Sequence, residues 1–138
     1  MIPESIAFQR AVDAGAFDGM RRHVSFSLPM PPSINRLYRA VQGRSILSKE
    51  YRVWKSDAAL TLMVQRCKPV HGPVSVLVEC KPADKRRRDI DNVGFKAVLD
   101  LLVTQKLIDA DDSSTVREIT ARWVGSGPPC RVTITPVE

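Results

Sequence analysis

The sequence predicts a compact α+β domain of two layers, in which two main helices pack on one mixed β-sheet. Short segments in which apolar residues alternate with polar ones indicate strands, and two longer segments with apolar residues three and four apart indicate helices. Their order is strand, helix, strand, helix, strand, strand, without repeats or a low-complexity linker. A length of 138 residues fits one domain with its own hydrophobic core.

The predicted elements have clear boundaries in the sequence. They are a strand at residues 24–28, a short hairpin at 38–47, a helix at 50–66, a strand at 74–80, a helix at 92–104, and two closing strands at 116–124 and 130–135. Residues 1–22, with a weak amphipathic pattern, are treated as an N-terminal extension of a domain that spans residues 23–138.

Turn and cap residues delimit the first elements. The segment from Val24 to Leu28 alternates cleanly, and Pro29 begins a proline-rich stretch that ends this strand and forces an extended loop through residues 33–36. Gly43 lies inside a β-tolerant segment, as in a short hairpin. Ser48 is a favourable N-cap for the first helix, which a Gly-Pro dipeptide stops.

The later elements enclose a polar loop. The segment from Val74 to Val78 is the strongest strand of the chain because β-branched residues dominate it. The helix at residues 92–104 gathers its apolar residues on one stripe, which we expect to be buried. The two closing strands flank a Gly- and Pro-rich turn, and Pro136 ends the second of them.

The composition indicates the kind of partner, the state of the cysteines and the cellular compartment that we expect. The net charge of +6 is unevenly distributed and suggests a polyanionic partner. Cys67, Cys80 and Cys130 are isolated in the sequence, which favours free thiols in a reducing cytosol over a zinc site or a disulfide framework. The N-terminus has no secretory signal pattern and no apolar run is long enough to span a bilayer, so we expect a cytoplasmic protein without a membrane partner.

The most informative segment is the charged loop, residues 84–92, with the sequence DKRRRDIDN. Four consecutive cations stand beside two carboxylates, Asp89 and Asp91, which are two residues apart. Cations attract phosphate, whereas carboxylates repel it unless a divalent metal lies between them. The charged loop therefore predicts a metal-dependent nuclease that holds a nucleic-acid backbone next to its metal.

The metal hypothesis depends on local geometry. Asp89 and Asp91 point the same way in an extended segment but diverge on a helix. Mg²⁺ usually takes one or two carboxylates together with water and substrate phosphate. A third carboxylate would come from Asp111 or Asp112 if the intervening helix returns the chain beside its start. The alternative is that these aspartates form a helix cap and a solvated acidic turn, and that the cations are a solvated charge run.

Two other residues, Lys96 and Glu79, are candidates for a role in metal-dependent cleavage of a nucleic acid. Lys96 lies about one helical turn from Asn92 and could face the same cleft, where it would stabilise charge that develops on the scissile phosphate. Glu79, in the tripeptide Glu79-Cys-Lys, matches half of a restriction-enzyme-type site at a strand end. No Pro-Asp partner precedes it, and such a tripeptide is common by chance.

Four sequence blocks occur together in this chain. They are PPSINRLYR at residues 31–39, RRRDIDN at 86–92, KAVLDLL at 96–102, and the acidic pair at 111–112 with Val116. In order and rough spacing, from about residue 24 to the C-terminus, they resemble the RusA family of Holliday junction resolvases. The resemblance implies a RusA-like fold and a Mg²⁺-dependent, homodimeric crossover junction endodeoxyribonuclease. Such an enzyme resolves four-way DNA junctions by paired, symmetric nicks in recombination and repair, and typically belongs to a phage or prophage.

The resemblance also implies roles for individual residues. Asp89, Asp91 and Asp112 would be the catalytic aspartates and the metal ligands, and Lys96 would be the catalytic lysine. The residues that we expect to bind DNA, from the charged loop and from the first block, are Lys85, Arg86, Arg87, Arg88, Asn35, Arg36 and Arg39.

Two features depart from the familiar pattern of the family. Three residues separate Asn92 from Lys96 where two are usual, and one extra residue rotates a helix by about 100° unless a distortion, which Gly94 permits, absorbs it. The segment after Asp112 is also lengthened, which leaves its neighbours in the acidic run, residues 109 and 111, as alternatives for the third ligand.

The alternative function comes from another class. A decayed resolvase, as a non-catalytic basic DNA-binding module, would use the same positive charge. The carboxylates in the charged loop favour the enzyme, because a protein that only binds DNA gains nothing from carboxylates that face phosphate.

Overall fold

The computed structural model describes residues 23–137, so the predicted N-terminal extension lies outside the described residues. The described part contains six strands and two α-helices. In chain order they are β1 (Val24–Leu28), β2 (Tyr38–Val41), β3 (Arg44–Leu47), α1 (Lys49–Gln65), β4 (Val74–Cys80), α2 (Phe95–Thr104), β5 (Val116–Trp123) and β6 (Cys130–Pro136). Within residues 23–137, neither helix is long and apolar enough to cross a membrane.

Four strands form one mixed sheet in the order β1-β6-β4-β5, and β2 and β3 form a separate hairpin. β6 is antiparallel to both of its neighbours, whereas β4 and β5 are parallel and are connected through α2. α1 packs against β1 and against α2. The predicted α+β fold, with a mixed sheet and two main helices, is therefore confirmed.

The core lies between the helices and one face of the sheet, because the inward side of each central strand is apolar. On β4 the alternate residues Val74, Val76, Val78 and Cys80 have no exposed surface. Cys80 lies opposite Cys130 of β6, and all three cysteines are free thiols, as predicted.

A side chain of α1 closes one edge of the sheet. Gln65 accepts a hydrogen bond from the backbone N–H of Ser27 at 2.8 Å and donates one to the carbonyl oxygen of Ser27 at 2.8 Å. Because these two groups lie on edge strand β1, the amide of Gln65 occupies positions that another strand could otherwise use. The contact also fixes the end of α1 on the sheet.

Two loop segments form short 3-10 turns that the sequence did not predict. One is Ile34–Arg36, where we expected an extended loop, although Ser33 before it is extended. The other is Ile90–Asn92, and as a result α2 begins at Phe95, three residues later than predicted. The cause is the bridge between Val93 and Ser33, which holds Val93 extended and separates the turn from the helix.

Gly94 joins the proline-rich loop to the loop that follows β4. Its N–H donates a hydrogen bond to Pro32 O at 3.0 Å, next to the bridge between Ser33 and Val93. A Cβ at position 94 would overlap Pro32 O and crowd the side chain of Leu37. Glycine is therefore required here because two backbone segments approach closely.

We predict that Gly94→Ala destabilises the protein by about 1–3 kcal/mol, the usual cost of forcing extra atoms into a packed contact. Urea denaturation followed by circular dichroism measures the change in the free energy of unfolding. Gly125→Ala is the matched control, since a Cβ at position 125 meets no atom within 4 Å. Equal stabilities of the two variants would contradict the close contact at Gly94.

Candidate active site

The charged loop and the acidic run adjoin opposite ends of the parallel strand pair. β4 pairs with β5 from Val74 opposite Val116 to Cys80 opposite Trp123. The charged loop follows the carboxyl end of β4, whereas the acidic run, residues 109–112, precedes the amino end of β5. The ends of a strand of seven residues are about 20 Å apart. These strand ends therefore lie apart, although Asp111 of the acidic run is close enough to Lys96, in the first turn of α2, to affect its pKa.

Asp84 organises the cationic part of the charged loop. One of its carboxylate oxygens accepts a hydrogen bond from Arg88 Nη1 at 2.8 Å, and the other accepts one from Arg86 Nε at 3.2 Å. The hydrogen bond from Arg88 above all holds the pKa of Asp84 well below its usual range. By contrast, Lys85 and Arg87 are exposed and make no ion pair with any residue in 23–137, so their charges are available to a polyanion.

Asp89 and Asp91 are exposed, and their carboxylates make no hydrogen bond or ion pair within the described part of the chain. Asp89 is extended, but Asp91 belongs to the 3-10 turn, so the alternation expected of an extended segment does not apply to the pair. Asp89 does not cap the turn that it precedes, which removes the helix-cap alternative for this residue. The oxygens of both carboxylates are therefore free to act as metal ligands.

In the acidic run, Asp109 has a structural role. Its carboxylate accepts a hydrogen bond from the backbone N–H of Gly72 at 2.8 Å and contacts His71 Nδ1 at 2.8 Å. The hydrogen bond from Gly72 is the main cause that lowers the pKa of Asp109. These contacts tie the acidic run to the segment before β4, and they make Asp109 the weakest of the three alternatives for a third metal ligand.

Asp112 and Asp111 differ in their partners. One oxygen of Asp112, Oδ1, accepts hydrogen bonds from Ser114 Oγ at 2.5 Å, from Ser114 N–H at 3.0 Å and from Thr115 N–H at 3.3 Å. The bonds from Ser114 lower the pKa of Asp112, and its other oxygen keeps no partner among the described residues. Asp111 is exposed and interacts electrostatically with Lys96. Asp112 is thus an oriented carboxylate with one free oxygen.

Lys96, in the first turn of α2, is held by a partner on its own helix. Its Nζ lies 3.4 Å from Asp100 Oδ2, and the hydroxyl of Tyr51 donates to the same oxygen at 3.3 Å. The negative charge of Asp100 is the main cause that raises the pKa of Lys96. Burial first, and Asp100 second, raise the pKa of Tyr51, so its hydroxyl remains a donor. Asp100 is therefore shared between a buried phenol and an exposed ammonium.

Two of the three residues between Asn92 and Lys96 precede α2. The chain passes from the 3-10 turn through extended Val93 and then Gly94 before α2 begins at Phe95. Lys96 and Asp100 keep the four-residue spacing that pairs side chains on one helix face.

The first of the four sequence blocks, residues 31–39, lies near Lys96. Asn35, Arg36 and Arg39 are all exposed, and of the three only Arg36 has an ion-pair partner within residues 23–137, Glu50 at 3.7 Å. The ring of Tyr38 stands edge-on to Tyr51, with the ring centroids 6.1 Å apart. Tyr38 is also close enough to Lys96 to raise its pKa, after the larger effect of Asp100. The first block is thus packed beside the lysine of the third.

Glu79 belongs to the sheet and not to a metal site of the restriction-enzyme type. It is 7% exposed, and its carboxylate lies 3.6 Å from Arg122 Nε on the neighbouring strand. Because side chains alternate along a strand, Glu79 faces away from the side of β4 that carries Val78 and Cys80.

The sequence indicates no role for three residues that the structure places near these segments. Asp100 could have been found from its four-residue spacing to Lys96. The contacts of Tyr51 with Asp100 and the location of Trp123 beside the charged loop depend on how distant segments pack, and no local pattern indicates them.

Within residues 23–137, no group of three or more His, Cys, Asp or Glu side chains could hold a metal ion. The donors are nevertheless suitable for Mg²⁺, because Asp89, Asp91 and one oxygen of Asp112 are free carboxylate oxygens. One chain therefore presents two separate acidic segments, one beside free cations and one beside Lys96.

The chain is similar in sequence to known proteins of one family. The family model described as Endodeoxyribonuclease RusA matches residues 29–135. A crossover junction endodeoxyribonuclease RusA of Shigella sonnei is 37% identical over 95 residues, which is 67% of this chain and 76% of the relative. The protein of that name from Escherichia coli K12 is 37% identical over 93 residues, 67% of this chain and 76% of the relative. One from Enterobacteria phage 82 is 36% identical over 91 residues, 65% of this chain and 74% of the relative.

We predict that Asp100→Asn lowers the pKa of Lys96 toward the ordinary value of about 10.4, because the charge that raises it is removed. Because the pKa of Lys96 is raised in the folded state, protonated Lys96 stabilises that state below a pH of about 10.4. This stabilisation is lost as the pH rises through the folded-state pKa. NMR titration of the lysine side-chain signals measures the shift, with Asp57→Asn, on the exposed side of α1, as control. An unchanged Lys96 pKa would contradict the pairing with Asp100.

Proposed function

Since the chain belongs to the RusA family of endodeoxyribonucleases, we propose that it is a Mg²⁺-dependent, structure-selective DNA endonuclease that resolves four-way junctions by paired, symmetric nicks. The observation that carries the proposal is the combination of free carboxylates and free cations in one loop: Asp89 and Asp91 stand beside Arg87 and Lys85, and none of the four side chains has a hydrogen-bond or ion-pair partner within the described chain. The free thiols agree with action on DNA in the cytoplasm.

In the proposed mechanism, Asp89, Asp91 and Asp112 hold the metal. Bound there, Mg²⁺ would supply an activated water and neutralise charge on the phosphate. Lys96, oriented by Asp100, stabilises negative charge that develops on the scissile phosphate. Lys85 and Arg87 hold the DNA backbone on either side of it.

We further propose that the active site is shared between two copies of the chain in a homodimer. The charged loop and the acidic run adjoin opposite ends of β4 and β5, and no group of three suitable side chains within residues 23–137 could hold a metal. A second copy, related by a two-fold axis, would bring its Asp112 to the Asp89 and Asp91 of the first copy. The Asp112 of the first copy would likewise lie at the Asp89 and Asp91 of the second. Two equivalent sites would then match the symmetry of a four-way junction.

An apolar surface on α1 supports the homodimer. Its members are 50–81% exposed, although they are large and apolar: Val53, Leu60, Met63 and Val64. A stable dimer buries more than about 1,000 Å² of surface, and exposed apolar side chains on one helix are suited to such an interface. Light scattering at micromolar concentration measures the assembly, and a monomer at all concentrations would contradict it.

The direct experiment is nicking of a synthetic four-way junction, with a linear duplex of the same sequence as control. We expect cuts in two strands of like polarity on the junction, none on the duplex, and no activity when EDTA removes the metal. Equal cutting of junction and duplex would overturn selectivity for branched DNA. Binding without any cutting at any Mg²⁺ concentration would favour the alternative, a non-catalytic basic module.

We predict that Asp91→Asn and Asp112→Asn each lower the nicking rate by more than about 100-fold, because a metal contributes several kcal/mol to transition-state stabilisation and 1.36 kcal/mol is a factor of ten. Junction affinity should remain or increase, since a negative charge near phosphate is lost. Gel shift and nicking on the same preparations separate the two effects.

Asp109→Asn is the matched control for those variants, because Asp109 is bound to Gly72 and His71. It should nick at the normal rate per folded molecule. If Asp111→Asn is inactive and Asp112→Asn is active, Asp111 is the third ligand and the assignment of Asp112 is wrong.

We predict that Arg87→Ala reduces the slope of log affinity against log salt concentration by about one, as expected for the loss of one phosphate contact. Arg87 has no ion-pair partner, whereas Arg86 is paired with Asp84, so Arg86→Ala should change the slope less. Arg131→Ala, with the same charge change on β6, is the control. An unchanged slope for Arg87→Ala would mean that the charged loop is only solvated.

A further inference from the structure

A cavity of about 490 Å³ lies between the charged loop, the proline-rich loop and the end of β5. Trp123, Met30 and Pro31 provide its apolar walls, and Arg87, Asp89 and Asn92 provide polar ones. Its volume is in the range of pockets that hold small organic groups. The cavity exists because Trp123, the last residue of β5, lies opposite Cys80 in the sheet, and the 3-10 turn of the charged loop passes beside that strand.

Three polar groups that line the cavity have no hydrogen-bond or ion-pair partner in the described part of the protein, whereas Arg88, which also lines it, is paired with Asp84. The indole N–H of Trp123, the amide of Asn92 and the guanidinium of Arg87 make no hydrogen bond within residues 23–137. Trp54 shows the contrast, since its indole N–H donates to Pro29 O at 3.0 Å. A half-buried tryptophan, a planar guanidinium and an amide with free donors and an acceptor are the groups that bind a flat, polar-edged aromatic ring.

Asp89 connects the cavity to the proposed chemistry. Its carboxylate lines the cavity and is also one of the proposed metal ligands. A group that fills the cavity is therefore attached close to the phosphate at the metal. A base at the branch point of a junction is less costly to unstack than one inside a duplex.

We propose that this cavity binds one nucleobase of the DNA substrate, from a nucleotide adjacent to the scissile phosphate, stacked on Trp123. The base is unstacked at the branch point, its ring lies against the indole, its polar edge faces Asn92, and Arg87 beside it holds the adjoining phosphate. The site thereby contributes to the choice of the phosphate that is cut. This inference rests on the proposed function and adds a base-binding subsite to it.

The test uses junctions in which single nucleotides near the cut are replaced by abasic residues, bound by an Asp91→Asn protein that does not cut. Stacking on an aromatic side chain contributes about 1–3 kcal/mol per base, so one abasic position should weaken binding about tenfold or more. Trp123→Leu, which retains an apolar side chain, should bind intact and abasic junctions equally, and Trp123→Phe should keep most of the discrimination.

Two outcomes overturn the inference without affecting the proposed function. One is a wild-type protein that nicks the intact junction while no abasic position within three nucleotides of the cut changes affinity or rate. The other is a folded Trp123→Leu variant that discriminates as the wild type does. If Trp123→Leu does not fold, Asn92→Ala, at an exposed position, replaces it: the preference among the four bases at the sensitive position should decline, and an unchanged preference overturns the inference. Absence of any junction nicking by wild type would remove the proposed function, and the inference with it.

Discussion

The parallel pairing of β4 with β5 is the constraint on which the arrangement of the site depends. Two neighbouring parallel strands require a crossover, and α2 provides it. The crossover begins at the carboxyl end of β4 with the charged loop and ends at the amino end of β5 after the acidic run. The two acidic segments that the sequence presents only about twenty residues apart are thus directed to different ends of the sheet. A binding site at the carboxyl ends of parallel strands is also the general rule for such units.

A second contact determines what surrounds the charged loop. The hydrogen bond from Gly94 to Pro32, with the bridge beside it, attaches the proline-rich loop to the start of α2. The same attachment forms one wall of the cavity next to Trp123 and brings Tyr38 to Lys96. It also separates the 3-10 turn from α2, because Val93 is held extended between them.

The sequence predicts the regular elements well and the site only in part. Strands β4 and β6 and helix α1 were located within about one residue, because alternation, the cap at Ser48 and a Gly-Pro stop act locally. The 3-10 turn that contains Asp91 was missed, since it is formed by a contact between segments about sixty residues apart. The same reason applies to the hydrogen bond from Tyr51 to Asp100. The ion pairs of Asp84 with Arg86 and Arg88 are local in sequence. They were nevertheless not predicted, because Asp84 precedes four consecutive cations and no sequence pattern specifies which of them it pairs with.

In the proposed homodimer, each active site takes Asp91 from one copy of the chain and Asp112 from the other. Heterodimers of Asp91→Asn and Asp112→Asn, prepared by co-expression with two different tags, test it directly. In a shared arrangement one of the two sites in each heterodimer carries both changes and the other is intact, so the mixture should nick one strand of a four-way junction although neither variant nicks alone. If the heterodimers form and remain as inactive as the separate variants, each site lies within a single chain and is not shared between two copies.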